Sequence, residues 1–205
     1  MVSNFDFLKK DFPVLSNFGK MAEKYCYSDS NSCLMKLGMI GETIVNLMFT
    51  YDRIAFPHDN TAVARIDTLS REGLLTSDLV TILHGLRKVR NKAVHENYAS
   101  IADDKIFLPM AHSLCEWFMQ TYGDWNYSHR DFVMPEENTV SGTVDKEAEE
   151  KKESELTKLA EQMAAAAPII EQTERKKQAY KAANQRPKTE AETRFLIDEQ
   201  LRMVG

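Results

Sequence analysis

The sequence is short of several features that would define its class. Cysteine occurs only three times in 205 residues, at Cys26, Cys33 and Cys115, with no CxxC pair. A scattered, odd-numbered set argues against a disulfide scaffold and against a zinc site. Each thiol reads instead as a small buried hydrophobe in a reduced, cytoplasmic protein. No apolar run approaches the roughly 18 residues of a membrane span. The best stretch, 34–48, is broken by Lys36, Glu42 and Asn46, and no basic segment opens the chain, so neither a membrane anchor nor a secretory signal is expected. Val/Ile-rich alternation is missing, which predicts few or no strands. There is no Gly-x4-Gly-Lys-Ser/Thr phosphate loop. No carboxylate and histidine cluster has metal-ligand spacing, so no cofactor is expected. Basic excess is lacking too: 26 Lys and Arg stand against 31 Asp and Glu, for a net charge of −5. Any contact with nucleic acid must therefore come from a local patch.

What remains is helical. Hydrophobic residues make up 43% of the chain, enough for a core. Phe5, Leu8, Phe12, Leu15, Phe18, Met21 and Ala22 recur at three- and four-residue steps, with Pro13 starting or kinking a helix. A cluster of cap residues at 28–32 opens an apolar helix over 31–51, with Glu42 in its middle and Gly38 and Gly41 suited to close helix approach. A short helix over 61–71 turns Val63, Ile66 and Leu69 inward and ends at Gly73. Ser77 is expected to cap the next, with Leu79, Ile82, Leu83, Leu86, Val89 and Val94 on its inner face. Another falls within 103–122 and starts nearer Leu108, because Pro109 suits a first turn. Residues 122–135 read as an aromatic arm packed across the helices. His84 and His112 are expected on helix surfaces or edges.

The aromatic residues concentrate before Pro135, and a boundary is placed at 135–143. Residues 136–187 read as a charged helical linker, a solvated spacer whose thin stripe is Leu156, Leu159, Met163 and Ala166. Thr189 and Glu192 form a capping box. They open a last helix with Phe195, Leu196, Ile197 and Leu201, which has nothing obvious to pack on. That makes the chain an expected N-terminal piece of something larger.

One stretch carries chemistry. From His84 to His95 the chain holds Arg87, Lys88, Arg90 and Lys92 and no acid. A cation-rich last turn suits any helix, since its C-terminus is the negative end. The same residues can also act. Arg90 can hold a phosphate, His95 can shuttle a proton to or from a ribose 2′-hydroxyl or a leaving 5′-oxygen, and Asn91 can orient the imidazole. Such chemistry takes RNA and needs no metal. Five residues turn a helix by about 140°. Arg90 and His95 therefore converge only if the helix ends between them, or if two protomers place their motifs face to face. Glu42 is either a buried partner for Arg90 or a surface residue. Arg87, Lys88 and Lys92 are the candidate nucleic-acid contacts.

Arg90-Asn91-Lys92-Ala93-Val94-His95 resembles the Arg-x(4–6)-His signature of the HEPN superfamily. The context Leu86-Arg87-Lys88-Val89-Arg90-Asn91 through His95-Glu96 resembles the DUF4145 type. The resemblance implies an all-α fold, an HEPN-like bundle of four to five helices over 1–135 that commonly dimerises. It also implies Arg90 and His95 as a catalytic pair, Asn91 as their polar neighbour and Glu42 as a looser match; some members are ribonucleases, others interaction modules. Residues 4–13, 33–51 and 114–125 together resemble the N-terminal region of a group of type I restriction enzyme R subunits, and 189–202 is similar to the first helix of their nuclease domain. That implies an assembly module acting in defence against foreign DNA, with other restriction-modification subunits as partners and a homodimer through the bundle. The alternative is a metal-independent HEPN ribonuclease. The helicase and nuclease motifs of the parent enzyme are missing, so its activity does not transfer to these residues.

Overall fold

A computed structural model describes residues 2–137 and 145–204, and part of the boundary expected at 135–143 lies outside the described residues. All regular structure among them is helical, with no strand. After a single 3-10 turn at Asp6–Leu8, α1 runs Pro13–Tyr25, with Pro13 at its first position, where no N–H is needed. α2, Ser30–Tyr51, is capped by Asp29, whose side chain accepts from the Ser32 N–H. By length and composition α2 could cross a membrane. It is instead the axis of the bundle, burying Leu34, Leu37, Ile40, Ile44, Leu47 and Met48 against its neighbours.

α3, Ala62–Arg71, starts on a Thr61 cap and is followed by Gly73 at φ +69°. Ile66 and Leu69 face inward as expected, but Val63 is exposed, in the first turn at the mouth of a cleft. α4, Ser77–Glu96, begins one residue after Thr76 with no side-chain cap, and ends at Asn97 in the left-handed region, φ 50°. Val94 is exposed, unlike Val89. It lies five residues on, about 140° round the helix, and the core face passes to Ala93 instead.

α5, Ile101–Tyr122, starts earlier than the proline suggests and carries Pro109 inside. Ser100 caps it by accepting from the Asp103 N–H. An interior proline costs about 3 kcal/mol. Burial of Phe107, Leu108, Met110, Leu114, Trp117 and Phe118 along the same helix offsets that. His112 is buried, not on a surface. Phe5, Phe7 and Phe132 surround its ring at 5.3–5.5 Å between centroids. His84 stays at a helix edge, partly exposed.

The aromatic arm does pack across the helices. Buried Glu116 accepts from the Arg130 N–H at 2.9 Å and the Tyr127 hydroxyl at 3.2 Å, and also pairs with His129.

The charged segment departs from the expected solvated spacer, because α6, Lys146–Ala166, and α7, Gln172–Gln185, lie on the bundle. The face of α6 turned inward is Glu153, Ala160 and Ala164, while Leu159 and Met163 are exposed. Alanines allow close approach, and Lys36 on α2 pairs with Glu149 at 2.6 Å and Glu153 at 2.5 Å. Arg53 donates to the Ala164, Ala165 and Ala167 carbonyls, satisfying the end of α6. On α7, Arg175 is 1% exposed. It meets Asp52 at 3.0 Å, donates to the Thr121 carbonyl and lies 4.3 Å from the Tyr122 ring centroid. Trp117 donates its indole N–H to the Ala179 carbonyl at 3.0 Å.

α8, Glu190–Val204, also finds a surface. Leu196 is buried and Phe195 meets Phe107 edge-on at 5.2 Å. Half of the expected capping box forms, with the Glu192 N–H donating to Thr189 Oγ1 at 3.0 Å. The Glu192 side chain turns instead to buried Arg186, which also donates to Ser113.

Candidate functional site

The motif sits in the last turns of α4, and its backbone is pinned from α2. Asn31 donates to the Ala93 and Tyr98 carbonyls at 2.8 and 2.9 Å, covering one of the last carbonyls of α4. Arg90 crosses against α2 at Gly38. A Cβ on residue 38 would meet the Arg90 Cβ at 2.2 Å. Arg90 Nη1 then lies 3.2 Å from Glu42 Oε2. Both side chains are partly exposed, so of the two roles left open for Glu42 the structure gives a partner at the surface, not a buried one.

Glu42, Arg87, Arg90 and Asn91 line one cleft of about 380 Å³ between α2, α3 and α4. Arg65 joins them from α3, bonded to Asn46 and Asn60 at 2.7 Å each and stacked 5.3 Å from the Phe56 ring centroid. No spacing in the sequence links Arg65 to Arg90, so it was not foreseen. Three guanidinium groups beside a single carboxylate suit a phosphate or another compact anion. The Nε atoms of Arg87 and Arg90 are buried without a hydrogen-bond partner among the described residues.

His95 is exposed and lines no part of that cleft. α4 continues unbroken through residues 90–96, so a helix end does not bring Arg90 and His95 together. Within one protomer the structure unites Arg90, Glu42, Asn91 and Arg87 and leaves His95 apart.

Lys88 and Lys92 face a second cleft, about 490 Å³, between α4, α5 and α8. Lys88 is paired with Glu199 at 2.6 Å, and Lys92 lies 5.4 Å from the Tyr98 ring centroid. The expected basic patch is thus divided. Arg87 and Asn91 form the ridge between the clefts, and acids absorb part of its charge.

A second cluster was not expected. Cys26 at the end of α1, Cys33 in the first turns of α2 and Asp104 in the first turns of α5 come together, all buried. Burial pushes the Asp104 carboxyl up to about 6, against the lowering effect of Ser30 and Cys33. The Cys33 thiol pulls Cys26 down, while Cys26 and burial push Cys33 up. The sequence separations are too long for this grouping to be read in advance.

Comparison with known proteins places these features in a setting. The model of the family described as "Domain of unknown function (DUF4145)" matches residues 20–162. That match crosses the expected boundary at 135–143 and takes in most of α6. Among curated proteins, the Type I restriction enzyme EcoKI endonuclease subunit of Escherichia coli (strain K12) is 25% identical over an alignment of 258 positions. The alignment covers 99% of this chain and 22% of that protein. No solved structure matches the chain.

Proposed function

The chain belongs to the DUF4145 domain family, and from that premise we propose that it is the N-terminal helical assembly module of a type I restriction-modification R subunit. One observation carries the proposal: similarity to a restriction endonuclease subunit runs across 99% of the chain, through the bundle and α6–α8 alike. The chain spans only 22% of that relative's length, so the endonuclease role in that protein's name is not assigned to these residues. The bundle joins other subunits and a second R protomer, in the cytoplasm, in defence against foreign DNA. Residues 188–205 begin the following nuclease domain. The outward residues of α8, Ile197 at 50% and Leu201 at 66% exposure, are where the rest of that domain packs. The experiment is sedimentation of the chain with the other subunits of a type I restriction-modification system. Co-sedimentation supports the module, and its absence opposes it.

The cleft with Arg65, Arg87, Arg90 and Glu42 favours a second reading, a metal-independent HEPN ribonuclease. There Arg90 holds the scissile phosphate and stabilises the charge that builds on it. His95 comes from the facing protomer, since it lies outside the cleft of its own, and exchanges a proton with the 2′-hydroxyl or the leaving 5′-oxygen. Asn91 orients the phosphate or the imidazole. Labelled single-stranded RNA in EDTA separates the two readings. Cleavage by wild type but not by His95→Ala, leaving cyclic-phosphate ends, selects the ribonuclease. Intact RNA in both leaves the assembly module.

A further inference from the structure

The cluster of Cys26, Cys33 and Asp104 lies outside the Arg90 cleft and plays no part in either reading above. Its three ligand atoms, two sulfurs and one carboxylate oxygen, lie within 4.8 Å of one another. Asp104 is 0% exposed, and among the described residues its carboxylate oxygens have no hydrogen bond of ordinary geometry and no ion pair, with only the Ser30 hydroxyl and the Cys33 thiol beside them. A buried carboxylate without a partner is costly and calls for a cation or a proton. Lys105, the next residue along α5, lies over the Tyr27 ring at 5.4 Å from its centroid.

The geometry points to a structural site for one thiophilic divalent cation, of the zinc class, held by Cys26 Sγ, Cys33 Sγ and a carboxylate oxygen of Asp104. Zinc–sulfur bonds of about 2.3 Å and zinc–oxygen bonds of about 2.0–2.2 Å place tetrahedral ligands roughly 3.3–3.8 Å apart. Atoms already within 4.8 Å need to close by only about 1 Å to reach that. Two thiolates select zinc over magnesium or calcium, which prefer oxygen donors. Ser30, whose hydroxyl lies beside Asp104, or a water completes the tetrahedron.

Charge favours the same occupant. Two thiolates and a carboxylate carry three negative charges, and the cation removes two. Cys33 and Asp104 also sit near the N-termini of α2 and α5, where anions are stabilised. On binding, two metal–sulfur bonds form and the two thiol protons leave to solvent. The ion ties the end of α1 to the starts of α2 and α5.

The test is cobalt titration of the reduced, chelator-treated full chain. One cobalt per chain should bind with the thiolate-to-cobalt absorption of a two-sulfur site, and zinc should bleach it. Cys26→Ser/Cys33→Ser should lose the band, and Asp104→Asn should weaken affinity by at least about tenfold. If the double variant fails to fold, the Asp104→Asn titration carries the comparison. The proposal is overturned if the reduced wild type shows no such band. It is equally overturned if the band survives the double variant, or if Asp104→Asn binds as tightly as wild type.

Discussion

Arg90 fills the space that a side chain at Gly38 would take across the α2–α4 crossing, since a Cβ at residue 38 would lie 2.2 Å from the Arg90 Cβ. The Glu42–Arg90 pair is built on that close approach. Gly38→Ala should therefore force the helices apart. Overpacking of about 1–3 kcal/mol exceeds the roughly 1 kcal/mol that alanine gains in helix propensity. Gly41 is a control on the same helix. Its added Cβ would meet Leu86 at 3.4 Å, ordinary contact, so Gly41→Ala should be neutral or stabilising. Urea unfolding of both variants checks the difference in sign.

Removing Arg175 should free α7. Its guanidinium is buried between Asp52, the Thr121 carbonyl and the Tyr122 ring. Arg175→Ala leaves Asp52 without its cation and should cost about 3–5 kcal/mol. Hydrogen exchange should rise first in residues 172–185. Unchanged protection there would mean that Trp117 and Gln178 alone hold the helix.

Acid should weaken the corner around His112. Burial and the nearby His129 lower its pKa to about 4, against about 6.5 when unfolded. Between those values the unfolded chain binds a proton that the folded chain does not. Stability is thus full above about pH 6.5 and falls towards pH 4, by up to roughly 3 kcal/mol. Glu116 works in the opposite sense, since burial raises its pKa and the folded state gains its proton as pH falls. His112→Gln should flatten or reverse the slope in this window. Chemical denaturation at a series of pH values reads it.

The first five helices were legible because core positions repeat at helical spacing, as Leu34, Leu37, Ile40 and Ile44 do on α2. A local signal also served well at the start of α2, where Asp29 of the 28–32 cluster is the cap. Pro109 misled because burial of its neighbours outweighs its local cost. Packing of α6 and α7 was hidden because charged groups and alanines make the contact. Lys36, Arg53 and Arg175 anchor these helices, and hydrophobic periodicity does not register them. The site was legible only in part. The basic run drew attention to Arg90 and Asn91, which line the cleft with Glu42, while the places of Arg65 and the Cys26–Cys33–Asp104 corner depend on tertiary contacts.

The most direct measurement is sedimentation velocity of the purified chain, alone and mixed with the other subunits of a type I restriction-modification system. An assembly module co-sediments with them at defined stoichiometry. A chain that stays monomeric and sediments apart from those subunits at high concentration would contradict the assembly role.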